Sequence, residues 1–227
     1  MTISDLYRWA CGTESDINQH LPRLSALAAL CDTIVELGVR GGESTKALLN
    51  GLDERHKTGP RGFRILYSYD INDCGNQRIR DAVDSAIQIE WQLHQADSRT
   101  VEIPECELLF IDTLHTADQL RTELTRHHGK VSKWIVLHDT ETFAVHGEGG
   151  GEGLIVGLMD FLHAQKRSEW RIINMVSYNN GLTVLERIHH DYPVIPRPVR
   201  QLPVPDVPSA DAAGERPGLF PGAGLPS

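Results

Sequence analysis

Five polar residues stand where apolar runs stop: Glu36, Asp70, Asp112 and the adjacent pair His138 and Asp139. His115 follows Asp112 by three positions. If those runs are neighbouring strands, four carboxylates converge on one cleft. Like charges so placed raise each other's pKa unless something cationic lies between them. A positively charged ligand, a metal ion, or both would answer that repulsion. A second signal runs from Ile34 to Thr45, where an apolar run enters Glu36 and then a turn containing Gly38, Gly41 and Gly42. A helix-like stretch follows from Ser44. Such a turn lets backbone approach a ligand closely, and a carboxylate beside it can accept from ribose-type hydroxyls.

The same turn argues against two common phosphate sites. No lysine precedes Ser44, as a P-loop requires. The glycine spacing is not that of a dinucleotide fingerprint, and Glu36 would repel a pyrophosphate. The segment suits a neutral or cationic nucleoside, with a purely structural turn as the alternative.

These residues need a scaffold that brings them together. The apolar pattern predicts strands over 33–37, 63–69, 89–93, 108–111, 134–137, 170–177 and 182–188. Helices are expected over 44–52, 79–87, 117–127 and 153–166, after an opening helical region over 4–30 interrupted near Pro22. Asn179-Asn180-Gly181 is a turn sequence that would pair the last two strands as antiparallel neighbours. Alternating strands and helices imply an α/β fold, Rossmann-like, with a seven-stranded mostly parallel sheet, helices on both faces and one antiparallel terminal strand. Ligands of such sheets sit beyond the carboxyl ends of the strands, where the polar residues gather.

The bulk composition narrows the partners. The chain has 227 residues and a formal charge of -9, from 31 acidic and 22 basic side chains. That balance disfavours nucleic acid and anionic membranes and leaves a small-molecule substrate. The four cysteines, Cys11, Cys31, Cys74 and Cys106, have no CxxC or zinc spacing and read as reduced thiols of a cytoplasmic protein. Asp5 and Arg8 occupy the place of an apolar leader, and no run is long enough to cross a bilayer. Nine of the twelve prolines fall from Pro193 onward. The organisation expected is a helical region over 1–31, a catalytic domain over 32–192 and an extended or disordered tail over 193–227. The start of that tail could lie along a partner subunit, which is compatible with a homo-oligomer.

The ordered set of motifs resembles class I S-adenosylmethionine-dependent methyltransferases. It is closest in kind to the bacterial small-molecule O-methyltransferase and cephalosporin-hydroxylase-like group. The resemblance covers roughly 32–187. It is carried by the segment from Glu36 to Ser44, by Leu109-Phe110-Ile111-Asp112-Thr113-Leu114-His115, by Ile135-Val136-Leu137-His138-Asp139-Thr140, and by the closing stretch from Asn180 to Arg187. It implies S-adenosylmethionine as cofactor, bound by Glu36, Gly38, Gly42 and Ser44. Asp70 would take the ribose hydroxyls, with Asp73 as a competitor or simple turn residue, and Asp97 the adenine edge. Metal-dependent members place acids at the ends of the fourth and fifth strands, so Asp112 and Asp139 would hold Mg2+, which favours oxygen donors. Such members usually have a second acid where this chain has His138, and the commoner Asp-Gly-Asp-His is here Asp-Thr-Leu-His.

Three readings of the cluster follow: magnesium on Asp112 and Asp139, a softer ion recruiting a histidine, or no metal, with His115 or His138 as general base beside Asp112. Methyl transfer to a hydroxyl of a sugar or natural product leads. Its rivals are a cephalosporin-hydroxylase-like metal enzyme and a non-catalytic nucleoside-binding or assembly domain. Two further expectations concern local segments. The glycine-rich stretch from Phe143 to Gly153 reads as a lid carrying His146 and Glu148. His127 and His128 read as imidazoles complementing a helix dipole.

Overall fold

The computed structural model describes residues 1–60, 62–165 and 169–188. The expected tail over 193–227 lies outside the described residues. Seven strands form one sheet: β1 (Thr33–Leu37), β2 (Arg64–Asp70), β3 (Ile89–Gln95), β4 (Cys106–Ile111), β5 (Val131–His138), β6 (Trp170–Val176) and β7 (Leu182–Arg187). Their spatial order is β3-β2-β1-β4-β5-β7-β6. The first five are parallel, and β7 alone runs against both its neighbours. The chain leaves β1 in one direction and returns to β4 on its other side. That reversal opens a crevice at the carboxyl ends of β1 and β4.

Side-chain alternation builds a core on each face of the sheet. Ile34, Leu66, Leu108 and Phe110 face α1 (Ile3–Gly12), α2 (Leu21–Ala28), α3 (Glu43–Thr58) and α4 (Gln77–Asp84). Val35, Leu37, Leu109 and Ile111 face α5 (Ala117–His127) and α6 (Leu154–Ala164). Both central strands are therefore apolar at every position except Thr33, Glu36 and Glu107. The N-terminal helices share the first core with α3. Helix α2 approaches α3 tightly at Gly51, where a methyl group would overlap Ala28 and the carbonyl oxygen of Ser25.

Several boundaries differ from the pattern-based expectation for identifiable reasons. The break between the first helices falls at residues 13–17, before a short 3-10 turn, Asn18–His20. Pro22 instead sits in the first turn of α2, where its missing N–H costs nothing. Helix α3 continues past Leu52 to Thr58. Its polar last turns are tied by Lys57 to Asp53 at 2.6 Å and to Glu54 at 3.0 Å. The β6–β7 turn has left-handed backbone at Asn179, Asn180 and Gly181. It grips the N-terminal segment: Asn179 donates to the Ser15 carbonyl at 2.8 Å and accepts from the Gln19 N–H at 2.9 Å. That grip lays residues 15–20 across the carboxyl end of β5.

Candidate active site

The loop after β1 is shaped by contacts inside the protein. Gly38 has φ +89, and a methyl group there would overlap the carbonyl of Asp112 at the end of β4. Gly42 has φ +77 and opens α3, with Ile79 of α4 2.8 Å from where its Cβ would lie. Gly38 lines the crevice; Gly42 stands behind it. Between them Arg40, also left-handed at φ 47, reaches back to hold Asp16 with two bonds of 2.7 Å.

Glu36 is fully enclosed and lines no cavity wall of the crevice. Its carboxylate accepts from Ser44 at 2.7 Å, from Thr45 at 2.9 Å and from Ser68 at 2.6 Å. Burial pushes its pKa up to about 7 in spite of those three hydroxyl donors. Glu36 thus ties the first turn of α3 to β1 and β2 and acts on a ligand only through that loop. Ser44 reaches the crevice at its edge while donating inward.

Asp70 ends β2 and faces the crevice. One oxygen accepts from the backbone N–H of Val39 at 2.8 Å and Arg40 at 3.1 Å, the other from Asn72 at 2.8 Å. Burial alone would raise its pKa, but these donors outweigh it and hold Asp70 below the usual carboxylate range. Asp70 therefore fixes the glycine loop and keeps lone pairs for hydroxyl donors. Asp73 makes a local turn bond to the Gly75 N–H at 3.1 Å and does not line the crevice.

The crevice is a cleft of about 620 Å³ whose walls include Gly38, Tyr69, Asp70, Asp97, Thr113 and Leu114. A recess of about 50 Å³ joins it at Gly38, Arg40 and Asp112 and is closed by Ile17 and Ser44. Asp97 lies on the cleft wall with its carboxylate paired to Arg99 at 2.8 Å, which lowers its pKa. Beneath it lies a network that the strand-end pattern did not reveal. Buried Glu123 of α5 accepts from Ser98 at 2.6 Å, Gln119 at 2.6 Å and Thr113 at 2.8 Å, all three of which line the cleft. The signal available in sequence was Gln119 and Glu123, one helical turn apart on a face otherwise made of Leu120 and Leu124 neighbours. His127 belongs to the same wall. It is buried and bonds the Ser98 carbonyl at 2.7 Å, and burial lowers its pKa. The expected dipole role is thus replaced, for His127, by that of a neutral hydrogen-bond donor.

Asp112 lines both the cleft and the recess, and His115, His138 and Asp139 gather around it. Nε2 of His138 lies 3.1 Å from the backbone carbonyl of Asp16. Its Nδ1 is 3.3 Å from Oδ2 of Asp112 and 3.3 Å from Oδ2 of Asp139, aligned as a hydrogen-bond donor to neither. Oδ1 of Asp139 is also buried without a partner, and Asp139 itself sits in left-handed backbone at φ 59. Nε2 of His115 stands 2.9 Å from Asp139 and 3.4 Å from Asp112. Its Nδ1 is 3.0 Å from Glu148, and its ring stacks on Phe143 with centroids 4.6 Å apart. Burial opposes charge on both imidazoles, yet the two carboxylates raise each to about 10. The same contacts hold Asp112 and Asp139 below the ordinary range against their own burial.

One donor atom each from Asp112, His138 and Asp139 can be chosen with all three within 4.8 Å of one another. An octahedral magnesium with bonds of about 2.0–2.1 Å sets adjacent donors about 3 Å apart. The spacings of 3.3 Å therefore fit a single ion held by these residues. His115 stands beside that trio. The glycine-rich stretch is a pinned hairpin: Glu148 donates its N–H to the His115 carbonyl at 2.9 Å, and His146 bridges Glu152. Glu148 lines the cleft, whereas His146 is exposed and points its pairing to the hairpin itself.

No family model and no curated protein matches the sequence. Solved structures do. A structural-genomics protein from Corynebacterium glutamicum superposes with TM-score 0.59 at 13% identity, covering 84% of this chain and 91% of that one. A caffeoyl-CoA O-methyltransferase candidate from Staphylococcus aureus gives 0.54 at 12% identity, covering 82% and 92%. The N-methyltransferase NodS from Bradyrhizobium japonicum, in complex with S-adenosyl-L-homocysteine, gives 0.53 at 13% identity, covering 80% and 92%. The fold is that of the class I S-adenosylmethionine-dependent methyltransferases. Among the described residues, no helix is long and apolar enough to cross a membrane.

Proposed function

We propose that the protein transfers a methyl group from S-adenosylmethionine to a hydroxyl of a small polar acceptor, such as a sugar or hydroxylated natural product. A divalent cation at Asp112 and Asp139 would orient that acceptor. The observation that carries the reading is the position of the Asp112–His115–His138–Asp139 cluster. Asp112 of that cluster lines the cleft together with Gly38 and Asp70, so an acceptor held at Asp112 would face a ligand in the cleft.

Each residue has a role that its surroundings permit. Asp70, already fixed by three backbone donors, would accept from the ribose diol. The Gly38 loop would pass beneath the methionine part, kept in shape by Glu36 and Ser44. Asp97, Ser98 and Gln119 offer polar atoms on the wall where the base would lie. The cofactor supplies an electrophilic methyl group, and a bound cation would lower the pKa of the acceptor hydroxyl. The carboxylate charge that keeps His115 protonated would be offset by a cation held by Asp112 and Asp139. His115 would then receive the hydroxyl proton at Nε2, with Glu148 holding its Nδ1–H. Alignment of acceptor and methyl group and closure to water supply the remainder of the rate. The charge of -9 supports a small acceptor over a nucleic acid.

Calorimetry with S-adenosylmethionine, followed by a screen for S-adenosylhomocysteine production over sugars and hydroxylated aromatics with divalent ions, tests the proposal. Cofactor binding with turnover of an oxygen acceptor supports it. Cofactor binding with turnover confined to amines would reject the oxygen assignment. Absence of cofactor binding would reject methyl transfer altogether, and iron with oxygen-dependent product would favour a hydroxylase.

A further inference from the structure

Two carboxylates alone suit magnesium, but the third donor of the cluster is a nitrogen. We infer that the site takes a first-row transition dication, such as manganese(II), iron(II) or cobalt(II), in preference to magnesium, with Nδ1 of His138 as a ligand. The inference rests on the reading of Asp112 and Asp139 as a cation site.

The geometry of His138 leaves that nitrogen little else to do. The side chain is 1% exposed, so water does not satisfy it. A backbone carbonyl only accepts, so the 3.1 Å contact with Asp16 places the proton on Nε2. In the neutral ring Nδ1 then carries a lone pair, and it stands 3.3 Å from Oδ2 of Asp112 and 3.3 Å from Oδ2 of Asp139. A lone pair facing two carboxylates is repulsive unless a positive charge lies among them. A proton on Nδ1 answers the charge but finds neither oxygen in hydrogen-bond alignment. A metal ion satisfies all three donors together.

Donor type then selects the ion. Magnesium is bound through oxygen and retains water, whereas imidazole suits iron and the later first-row metals, with manganese at the weak end of that series. The arrangement around His138 is that of a working ligand, whose far nitrogen is anchored by a carbonyl that fixes tautomer and ring orientation. Asp16 is itself restrained, its carboxylate held by Arg40 at 2.7 Å. The N-terminal segment would thus orient the metal ligand from above the end of β5.

The test uses the full chain, stripped with chelator and titrated with Mg2+ or Mn2+ alone by calorimetry, with and without S-adenosylmethionine. Frozen Mn2+-loaded samples are examined by pulsed electron paramagnetic resonance. Mn2+ is expected to bind about tenfold or more tightly than Mg2+. Its spectrum should carry nitrogen coupling from a bound imidazole, absent in His138→Gln. In His138→Glu, which restores a third oxygen, the preference should shrink. Equal or tighter Mg2+ binding by the wild-type protein overturns the inference, as does a manganese spectrum without nitrogen coupling or one that keeps it in His138→Gln. The wild-type spectrum decides the question even where the variants fold poorly. If no divalent ion binds, the inference fails, and S-adenosylmethionine binding in the same samples shows separately whether the methyltransferase reading stands.

Discussion

Nδ1 of His115 lies 3.0 Å from a carboxylate oxygen of Glu148, joining the loop after β4 to the glycine-rich hairpin. The contact leaves Nε2 of His115 turned toward Asp112 and Asp139. If His115 takes the acceptor proton, Glu148 sets its tautomer. Glu148→Gln should then lower kcat about tenfold, the scale of losses when such outer partners are removed. Cofactor affinity should change little. Steady-state kinetics beside calorimetry checks this, and an unchanged kcat would remove Glu148 from the mechanism.

Gly38 and Gly42 separate folding from binding. Gly38→Ala forces a methyl group onto the Asp112 carbonyl in left-handed backbone, so it should destabilise by at least about 3 kcal/mol, as overpacking and backbone strain add. Gly42→Ala meets only the tip of the Ile79 side chain and should cost about 1–2 kcal/mol. A steric block of cofactor in a well-folded Gly38 variant, the simplest expectation from a glycine loop, is thereby replaced by loss of the fold. Urea unfolding of both variants measures the order, and a Gly38→Ala protein as stable as wild type would contradict the contact.

Glu36 makes a pH prediction whose sign is fixed by its burial. Its folded-state pKa is about 7 against an ordinary 4.5, so the folded protein binds the proton more tightly than the unfolded chain. The associated stabilisation is fully present below pH 4.5 and is lost as pH rises through 7. The difference is worth about 3 kcal/mol. Wild type should therefore lose stability relative to Glu36→Gln between pH 5 and pH 8, as measured by denaturant unfolding. Parallel curves for the two proteins would show that Glu36 does not titrate in that window.

The strands and their acidic ends were legible because mostly apolar runs reach a carboxylate at or near their ends, as at Glu36, Asp70 and Asp112. What faces what was not legible. Glu36 reads as a ligand-facing acid until Ser68, 32 positions away, is seen to satisfy it beside Ser44 and Thr45. His138 meets the carbonyl of Asp16 across 122 positions. A backbone carbonyl carries no residue signature, so no motif could have announced that pairing. His127 looked like a helix-end cation because its sequence neighbours are polar, and only the packing of Ser98 against α5 buries it. Local pattern set the frame, while contacts between distant loops assigned the roles.

Asp70 carries two duties that can be told apart. Asp70→Ala removes three backbone bonds along with any bond to ribose, and should weaken S-adenosylmethionine binding by about 1.5–3 kcal/mol while lowering the thermal midpoint. Asp70→Asn retains one acceptor oxygen. It should recover part of the thermal midpoint but little of the affinity, because a charged acceptor is what favours the diol. Calorimetry and melting curves on both variants test this, and full affinity in either would move the ribose contact elsewhere.

The hairpin over 143–153 should exchange between open and pinned states. Gly149, Gly150 and Gly151 are consecutively left-handed, a conformation glycine reaches easily but at a large loss of freedom. Ordering such residues costs about 1–2 kcal/mol each. Against that, the Glu148 N–H bond to the His115 carbonyl contributes about 1 kcal/mol net. The Glu148 carboxylate contact with His115 adds a comparable amount while remaining half exposed. Ordering the three glycines thus costs about 3–6 kcal/mol against about 2 kcal/mol from these two contacts, so added contacts from ligands should favour the pinned state. Hydrogen exchange at the Glu148 and Gly153 amides should slow from the free protein to the cofactor complex and again with acceptor bound. His115→Ala, which deletes the side-chain anchor, should quicken exchange at Glu148 in all three states. Protection that is the same in every state and insensitive to His115→Ala would make the hairpin a fixed wall of the cleft.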